Sequence, residues 1–359
     1  MLRNASSRND SPWRVGLPTL LAALLAVGCS RESAPSPAEN HAPAKREAAA
    51  AAAAAVHARG VNEVRETRLA NLQKPDGWLS LVGLHWLKPG NSYVGSGATK
   101  GVRLAAGPEE VGMIRLDRDG TVMFRATRGA GVTYDGQPAD GGTRRLVTDA
   151  EGGTPTVVGF NQGDASFIVI KRGENYGLRV RDALAPTRMR FPGLDYFDID
   201  AAFRFDARFE AHPPGQTISI VNVLGIEEAM ANPGVVVFQK DGVEYRLEAV
   251  DEGDGRLFLI FADRTSGHES YAAARFLYAD QPADGGTTVV DFNRAYNPPC
   301  AFTEFSTCPM PPPSNRLDLR IELPPVVHPT QDPRHRRQRR VRDAVRDHQD
   351  GVLRPAGGS

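Results

Sequence analysis

Short apolar runs broken by turn residues most narrowly restrict what this chain can become. Met113-Ile-Arg-Leu116, Thr121-Val-Met-Phe124, Thr156-Val-Val-Gly-Phe160 and Phe167-Ile-Val-Ile170 are each a few residues long, and Asp119-Gly120 and Asp135-Gly136 sit between such runs. The 359 residues include 36 glycines and 27 prolines, many falling at these intervals. Strand-length runs punctuated in this way point to an all-β protein of sandwich or meander type, because the pattern is too short-ranged for long helices. The helical exception expected in the folded part is short and amphipathic, Val61 to Gln73, stopped by Pro75-Asp-Gly77.

The runs divide into two groups. Residues 61–182 predict a β-sandwich-like half, and their order of turns is similar to that of forkhead-associated domains, which implies a sandwich of that general kind and nothing about function. Residues 183–322 predict an antiparallel β half. Ala202-Phe-Arg-Phe-Asp-Ala-Arg-Phe209 alternates strictly, and Lys240-Asp-Gly242 is a hairpin signal. Arg275 to Asp291 is expected to fold back on itself across Gln281–Gly286, and Arg316 to Glu322 is expected to add a strand.

Lysine plus arginine equals aspartate plus glutamate, so the formal charge is zero and nucleic acid is not an expected partner. No internal stretch is apolar enough over the length of a bilayer.

The first segment reads as an address. Arg3, Arg8 and Arg14 precede an apolar run from Leu17 to Val27 that ends in Gly28-Cys29. Leu25-Ala-Val-Gly-Cys29 resembles a bacterial lipobox. That resemblance implies a signal peptide over 1–28, acylation of Cys29 by fatty chains such as palmitate, and a membrane partner through that anchor. Ser30 in place of aspartate points to the periplasmic face of the outer membrane. Ordinary cleavage nearby, with Cys29 incidental, is the other reading. Residues 29–60, rich in Ala, Pro and Ser, read as a tether whose alanine run is compatible with a helix, and 323–359 as a disordered basic tail.

Two polar stretches attract attention. Ala262-Asp-Arg-Thr-Ser-Gly-His-Glu-Ser-Tyr271 supplies Asp263 and His268. Asp291-Phe-Asn-Arg-Ala-Tyr-Asn-Pro-Pro-Cys300 supplies Asp291, Asn293, Tyr296 and Asn297. Polar groups at this density serve either as caps and buried networks or as a site. Under the second reading Asp263, His268 and Asp291 are candidates for acid–base work, and Arg275, Asn293, Tyr296 and Asn297 for ligand binding. No nucleophile elbow, Walker, dinucleotide or zinc-protease motif is present, so no cofactor and no metal are expected, and enzyme or binder stays open.

These stretches, with Trp78-Leu-Ser-Leu-Val-Gly-Leu-His-Trp-Leu87 and Gly177-Leu-Arg-Val-Arg-Asp182, resemble the bacterial family known as domain of unknown function 1684, from about Val61 to Glu322. The resemblance carries no activity. Ser270 stands where the family usually has threonine, and the chain ends in Leu323-Pro-Pro and an arginine-rich tail instead of the family's usual close.

Cys300 and Cys308 are expected to pair as a disulfide in an oxidising compartment; a metal or redox pair is the alternative, though zinc would need two further ligands and no Cys-x-x-Cys exists. Two functions follow. One is an exported lipoprotein that binds, or binds and hydrolyses, a small polar or anionic ligand. The other is a cell-envelope scaffold without chemistry. The sequence does not determine an oligomeric state.

Overall fold

A computed structural model describes residues 41–139, 141–282 and 286–322. The signal segment with Cys29 and the basic tail lie outside the described residues. The chain divides into a unit Met1–Ala52 and a unit Ala53–Ser359. In the first, the described residues are the opening turns of helix α1 (His41–Leu72). All that follows concerns the second.

The helix is longer than the expected Val61–Gln73, because Ala48–Ala55 are the best helix formers available and extend it backwards. It stops where Gly77 packs under its last carbonyls; a Cβ there would lie 2.5 Å from the Asn71 oxygen. Val61 and Leu72 are fully buried, and His57, Arg65 and Arg68 make polar contacts to the second half.

The first half is a two-sheet sandwich. Its strands are β1 (Leu81–Trp86), β2 (Gly90–Gly95), β3 (Val102–Arg103), β4 (Gly112–Leu116), β5 (Val122–Ala126), β6 (Thr133–Tyr134), β7 (Gln137–Pro138), β8 (Thr143–Arg145), β9 (Val158–Phe160), β10 (Ala165–Arg172) and β11 (Asn175–Asp182). Six form one sheet in the order β1-β11-β10-β9-β6-β7, and five the other, β3-β2-β4-β5-β8. Phe124, Phe160, Phe167, Val169, Leu178 and Val180 belong to the core of this half. Strand alternation then puts Arg172 of β10 and Arg179 and Arg181 of β11 on the opposite, outer face of the six-stranded sheet. Arg179 stands opposite Ile168 in the β10–β11 register.

The second half contains β12 (Arg204–Ala211), β13 (Thr217–Val221), β14 (Glu227–Ala231), β15 (Gly234–Lys240), β16 (Val243–Glu248), β17 (Arg256–Phe261), β18 (Arg275–Asp280) and β19 (Thr287–Asp291). A four-stranded sheet runs β16-β15-β12-β19, and two hairpins, β13-β14 and β17-β18, accompany it. Leu257, Leu259 and Phe261 enter one core with Phe238 and Phe292. Their neighbours Phe258 and Ile260 enter another, with Phe276, Cys300 and Cys308. Strand β17 is therefore buried on both faces, which explains its unbroken apolar sequence.

Two expectations are corrected. β18 pairs with β17 and β19 with β12, so Arg275–Asp291 is not a hairpin ladder; the chain changes sheets instead, held by Thr288 Oγ1 donating to the Asp280 carbonyl at 2.7 Å. Arg316–Glu322 is not a strand. It makes one parallel bridge, Ala262 with Arg316, and then spends its backbone on the Asp263 loop: Arg264 N–H donates to the Leu319 carbonyl, and Ile321 N–H to the Asp263 carboxylate.

Candidate functional site

Asp263 and Arg275 form a buried knot. Both side chains are 0% exposed, with Arg275 Nη2 at 2.7 Å from Asp263 Oδ1. The same oxygen accepts from Thr265 N–H (3.2 Å), Thr265 Oγ1 (2.8 Å) and Ser266 Oγ (3.2 Å), and Oδ2 accepts from Ile321 N–H at 2.6 Å. Arg275 also donates to the Ile321 carbonyl and lies 4.8 Å from the Phe261 ring centroid. Burial lowers its pKa and Asp263 restores part of the loss. The carboxylate is committed to holding its own loop and the 316–322 segment. His268 is exposed on the turn, where its N–H donates to the Thr265 carbonyl, and it does not join them.

Asp291 and Asn293 form a second knot. Asp291 Oδ1 accepts from Asn293 N–H (3.1 Å) and Asn293 Nδ2 (2.8 Å). Asn293 in turn makes a two-way pair with the Asp200 backbone, both contacts 2.9 Å. Asp291 Oδ2 accepts from His57 Nε2 at 2.8 Å and meets Arg294 Nε at 3.3 Å. His57 belongs to α1, so this knot fastens the helix to the β half. The sequence reading, which ended the tether at residue 60, missed it. Asp263 with Arg275 and Asp291 with Asn293 thus form two separate networks, and His268 belongs to neither.

A different place collects unspent charge. A cavity of about 260 Å³ lies between the outer face of the six-stranded sheet and the second half, lined by Arg68, Arg172 and Arg179, by Trp78, Tyr278 and Tyr296, and by Glu252, Thr307 and Cys308. Arg179 is 4% exposed, and no carboxylate forms an ion pair with it among the described residues. Its Nη2 donates to Thr307 Oγ1 at 3.2 Å, its Nε has no partner among the described residues, and its guanidinium lies 5.3 Å from the Trp78 ring. Burial, and then Arg172 and Arg181 nearby, push its pKa down to about 10, so it is still a cation at neutral pH. Arg172 Nε donates to the same Thr307 oxygen at 3.0 Å, and Arg172 occupies Asp149 at 2.9 Å. Arg68, from α1, donates to the Asn297 carbonyl at 3.1 Å and lies 4.5 Å from the Tyr296 ring; burial lowers its pKa too. Three guanidiniums against Glu252 and Asp149 leave the cavity cationic.

A buried guanidinium cannot shed its proton at neutral pH and is costly without an anionic partner. Arrangements of this kind suit an oxyanion, which accepts from several donors at once. Of the residues singled out from sequence, Tyr296 lines this cavity and Asn297 supports Arg68 through its carbonyl. Burial raises the Tyr296 hydroxyl to about 12, so it stays a donor. Arg68, Arg172, Arg179 and Glu252 were missed. The signal for Arg179 was present: in Leu178-Arg-Val-Arg181 two arginines alternate with core residues on a strand with neighbours on both sides, so they must point into whatever covers the sheet.

Cys300 and Cys308 stand beside the cavity as free, buried thiols, without the bond expected between them. Each backbone N–H donates to the other's sulfur, at 3.1 and 3.3 Å, and Ser306 Oγ donates to Cys300 Sγ at 3.0 Å. Burial opposes ionisation of both. Hydrogen bonds from Cys308 and Ser306 nevertheless hold Cys300 below the usual thiol range, while Cys308 is pushed well above it.

Residues 189–323 match the family described as Protein of unknown function (DUF1684). That span holds the first knot, the second apart from His57, and the Cys300–Cys308 loop, but not Arg68, Trp78, Arg172 or Arg179. Among solved structures, the solution NMR structure of an uncharacterised protein from gene locus rrnAC0354 of Haloarcula marismortui is similar at 28% identity, covering 40% of this chain and 80% of that one, with a TM-score of 0.34. The comparison with curated proteins returns no match.

Proposed function

We propose that the protein is an exported envelope lipoprotein, anchored through an acylated Cys29, whose folded unit binds a small anionic ligand in the arginine-lined cavity. One observation carries the binding reading: Arg179, nine-tenths buried and without a carboxylate partner, faces a cavity that Arg68 and Arg172 also line. An anion there would complete the missing partner, and hydrogen bonds to charged groups contribute about 1.5–3 kcal/mol each. The apposed sulfurs support an exported setting in which Cys300 and Cys308 become a disulfide.

Calorimetric titration of the full chain in detergent with inorganic phosphate tests the cavity. The wild type is expected to bind, and Arg179→Met to bind roughly 10–100-fold more weakly, the equivalent of one charge-assisted hydrogen bond. Equal affinity in the two proteins would remove the cavity from the account. The anchor is tested separately: Cys29→Ser is expected to move the protein from the membrane to the soluble fraction and to abolish labelling by radioactive palmitate. Unchanged fractionation would refute the lipid anchor.

A further inference from the structure

The cavity lining carries both signs of charge. Arg172 and Arg179 converge on Thr307 Oγ1. In the same lining stands Glu252, a carboxylate exposed at the mouth, which accepts a hydrogen bond from the Tyr278 hydroxyl. Burial, Tyr296 and Glu252 itself all keep that hydroxyl protonated. A carboxylate on the wall of an anion site repels a bare anion. It contributes favourably only if the ligand brings hydrogen-bond donors or a positive charge to it.

The guanidiniums of the lining come from three elements, α1, β10 and β11. A planar carboxylate accepts donors mainly in its plane, whereas the three terminal oxygens of a phosphate monoester accept from several directions. The volume of about 260 Å³ accommodates a phosphate with a small body attached.

On the reading that this cavity binds anions, we infer that its ligand is a small phosphate monoester whose body carries hydroxyl or ammonium donors, with the phosphate at Arg172, Arg179 and Thr307 and the donors at Glu252. Tyr278 then acts as a positioning residue, fixing the carboxylate through its hydroxyl.

The test is calorimetry on the full chain at one pH and ionic strength, with methyl phosphate, glycerol 3-phosphate, phosphoethanolamine and a water-soluble short-chain phosphatidic acid. Glycerol 3-phosphate or phosphoethanolamine is expected to bind at least about tenfold more tightly than methyl phosphate, the worth of one good added contact. Glu252→Gln should move the ligands in opposite directions: about tenfold weaker for the donor-bearing ligand, and about twofold tighter for methyl phosphate, since a repelling charge is gone. Tyr278→Phe should weaken only the donor-bearing ligand. If methyl phosphate binds as tightly as the others, or Glu252→Gln weakens every ligand alike, the inference is overturned while the anion site stands. Tightest binding of the phosphatidic acid, which lacks free hydroxyls, would make the ligand a lipid headgroup and overturn the assignment of Glu252. If no phosphate binds at all, both readings fall together.

Discussion

Replacing Asp263 with alanine separates a structural knot from a catalytic acid. The carboxylate is 0% exposed and faces a guanidinium that is also 0% exposed at 2.7 Å. Its removal strands Arg275 as an unpaired buried charge, a change that typically costs about 3–5 kcal/mol. It also removes the acceptor of Ile321 N–H and Thr265 N–H, so the 316–322 segment loses its attachment to the loop. Losses within one network overlap, and the expected total stays near 3–5 kcal/mol. For a folded unit of this size, 1 kcal/mol shifts the melting midpoint by roughly 2–4 °C, so the variant should melt about 6–20 °C below wild type. His268→Ala, at an exposed turn, should change stability by less than about 0.5 kcal/mol. Scanning calorimetry of the two variants beside wild type is the assay. If Asp263→Ala melts within a degree or two of wild type, or His268→Ala is the more damaging, the assignment of this loop to structure is refuted.

Three further outcomes follow from the geometry. Arg179→Met should raise the stability of the ligand-free protein by about 1–4 kcal/mol, read by denaturant titration, because it replaces a buried charge that has no direct ion pair among the described residues, and only the more distant Asp149 to balance it, with an apolar side chain; destabilisation would show that its present contacts outweigh the cost of burying it. Oxidation of Cys300 and Cys308 by a small disulfide donor, with release of two thiols, should raise stability by roughly 2–3 kcal/mol relative to the reduced protein; equal melts with and without reductant would reject the cross-link. Phosphate affinity should rise between about pH 5 and 7 as the ligand loses its second proton, near pKa 6 for a monoester, hold, and fall above pH 10 as Arg179, with its pKa pushed down to about 10, loses its charge. The sign for stability is opposite: the desolvation cost of Arg179 is fully present below pH 10 and is relieved as the pH rises through that value towards the ordinary guanidinium range. A flat affinity profile from 9 to 11 would argue against Arg179 as the anion's partner.

The all-β class was legible because alternation and turn chemistry are local. Ala202–Phe209 alternates, and Lys240-Asp-Gly242 closes β15 onto β16 with Asp241 at φ +52° and Gly242 at φ +79°. The partners of the strands on either side of Gln281–Gly286 were not legible, since partner choice depends on which sheet each strand joins, and β18 and β19 join different ones. The end of the helix was readable at Pro75-Asp-Gly77, but not its beginning, because an alanine run is equally compatible with a tether and a helix.

The site followed the same division. Polar density drew attention to Asp263, Asp291 and Asn293, yet density within a loop mostly reports the loop's own hydrogen bonds, as their partners show. The cavity gathers Arg68, Arg172, Arg179 and Glu252 from separate segments brought together only by the packing of two β halves, so no local pattern could reveal the set.

The most direct measurement is a crystal of the full chain soaked in tungstate, a tetrahedral oxyanion located by its anomalous scattering. The account predicts a tungsten peak in the cavity, its oxygens within hydrogen-bond distance of Arg172 and Arg179 beside Thr307. An empty cavity with tungstate bound elsewhere, or a carboxylate already paired with Arg179, would contradict it.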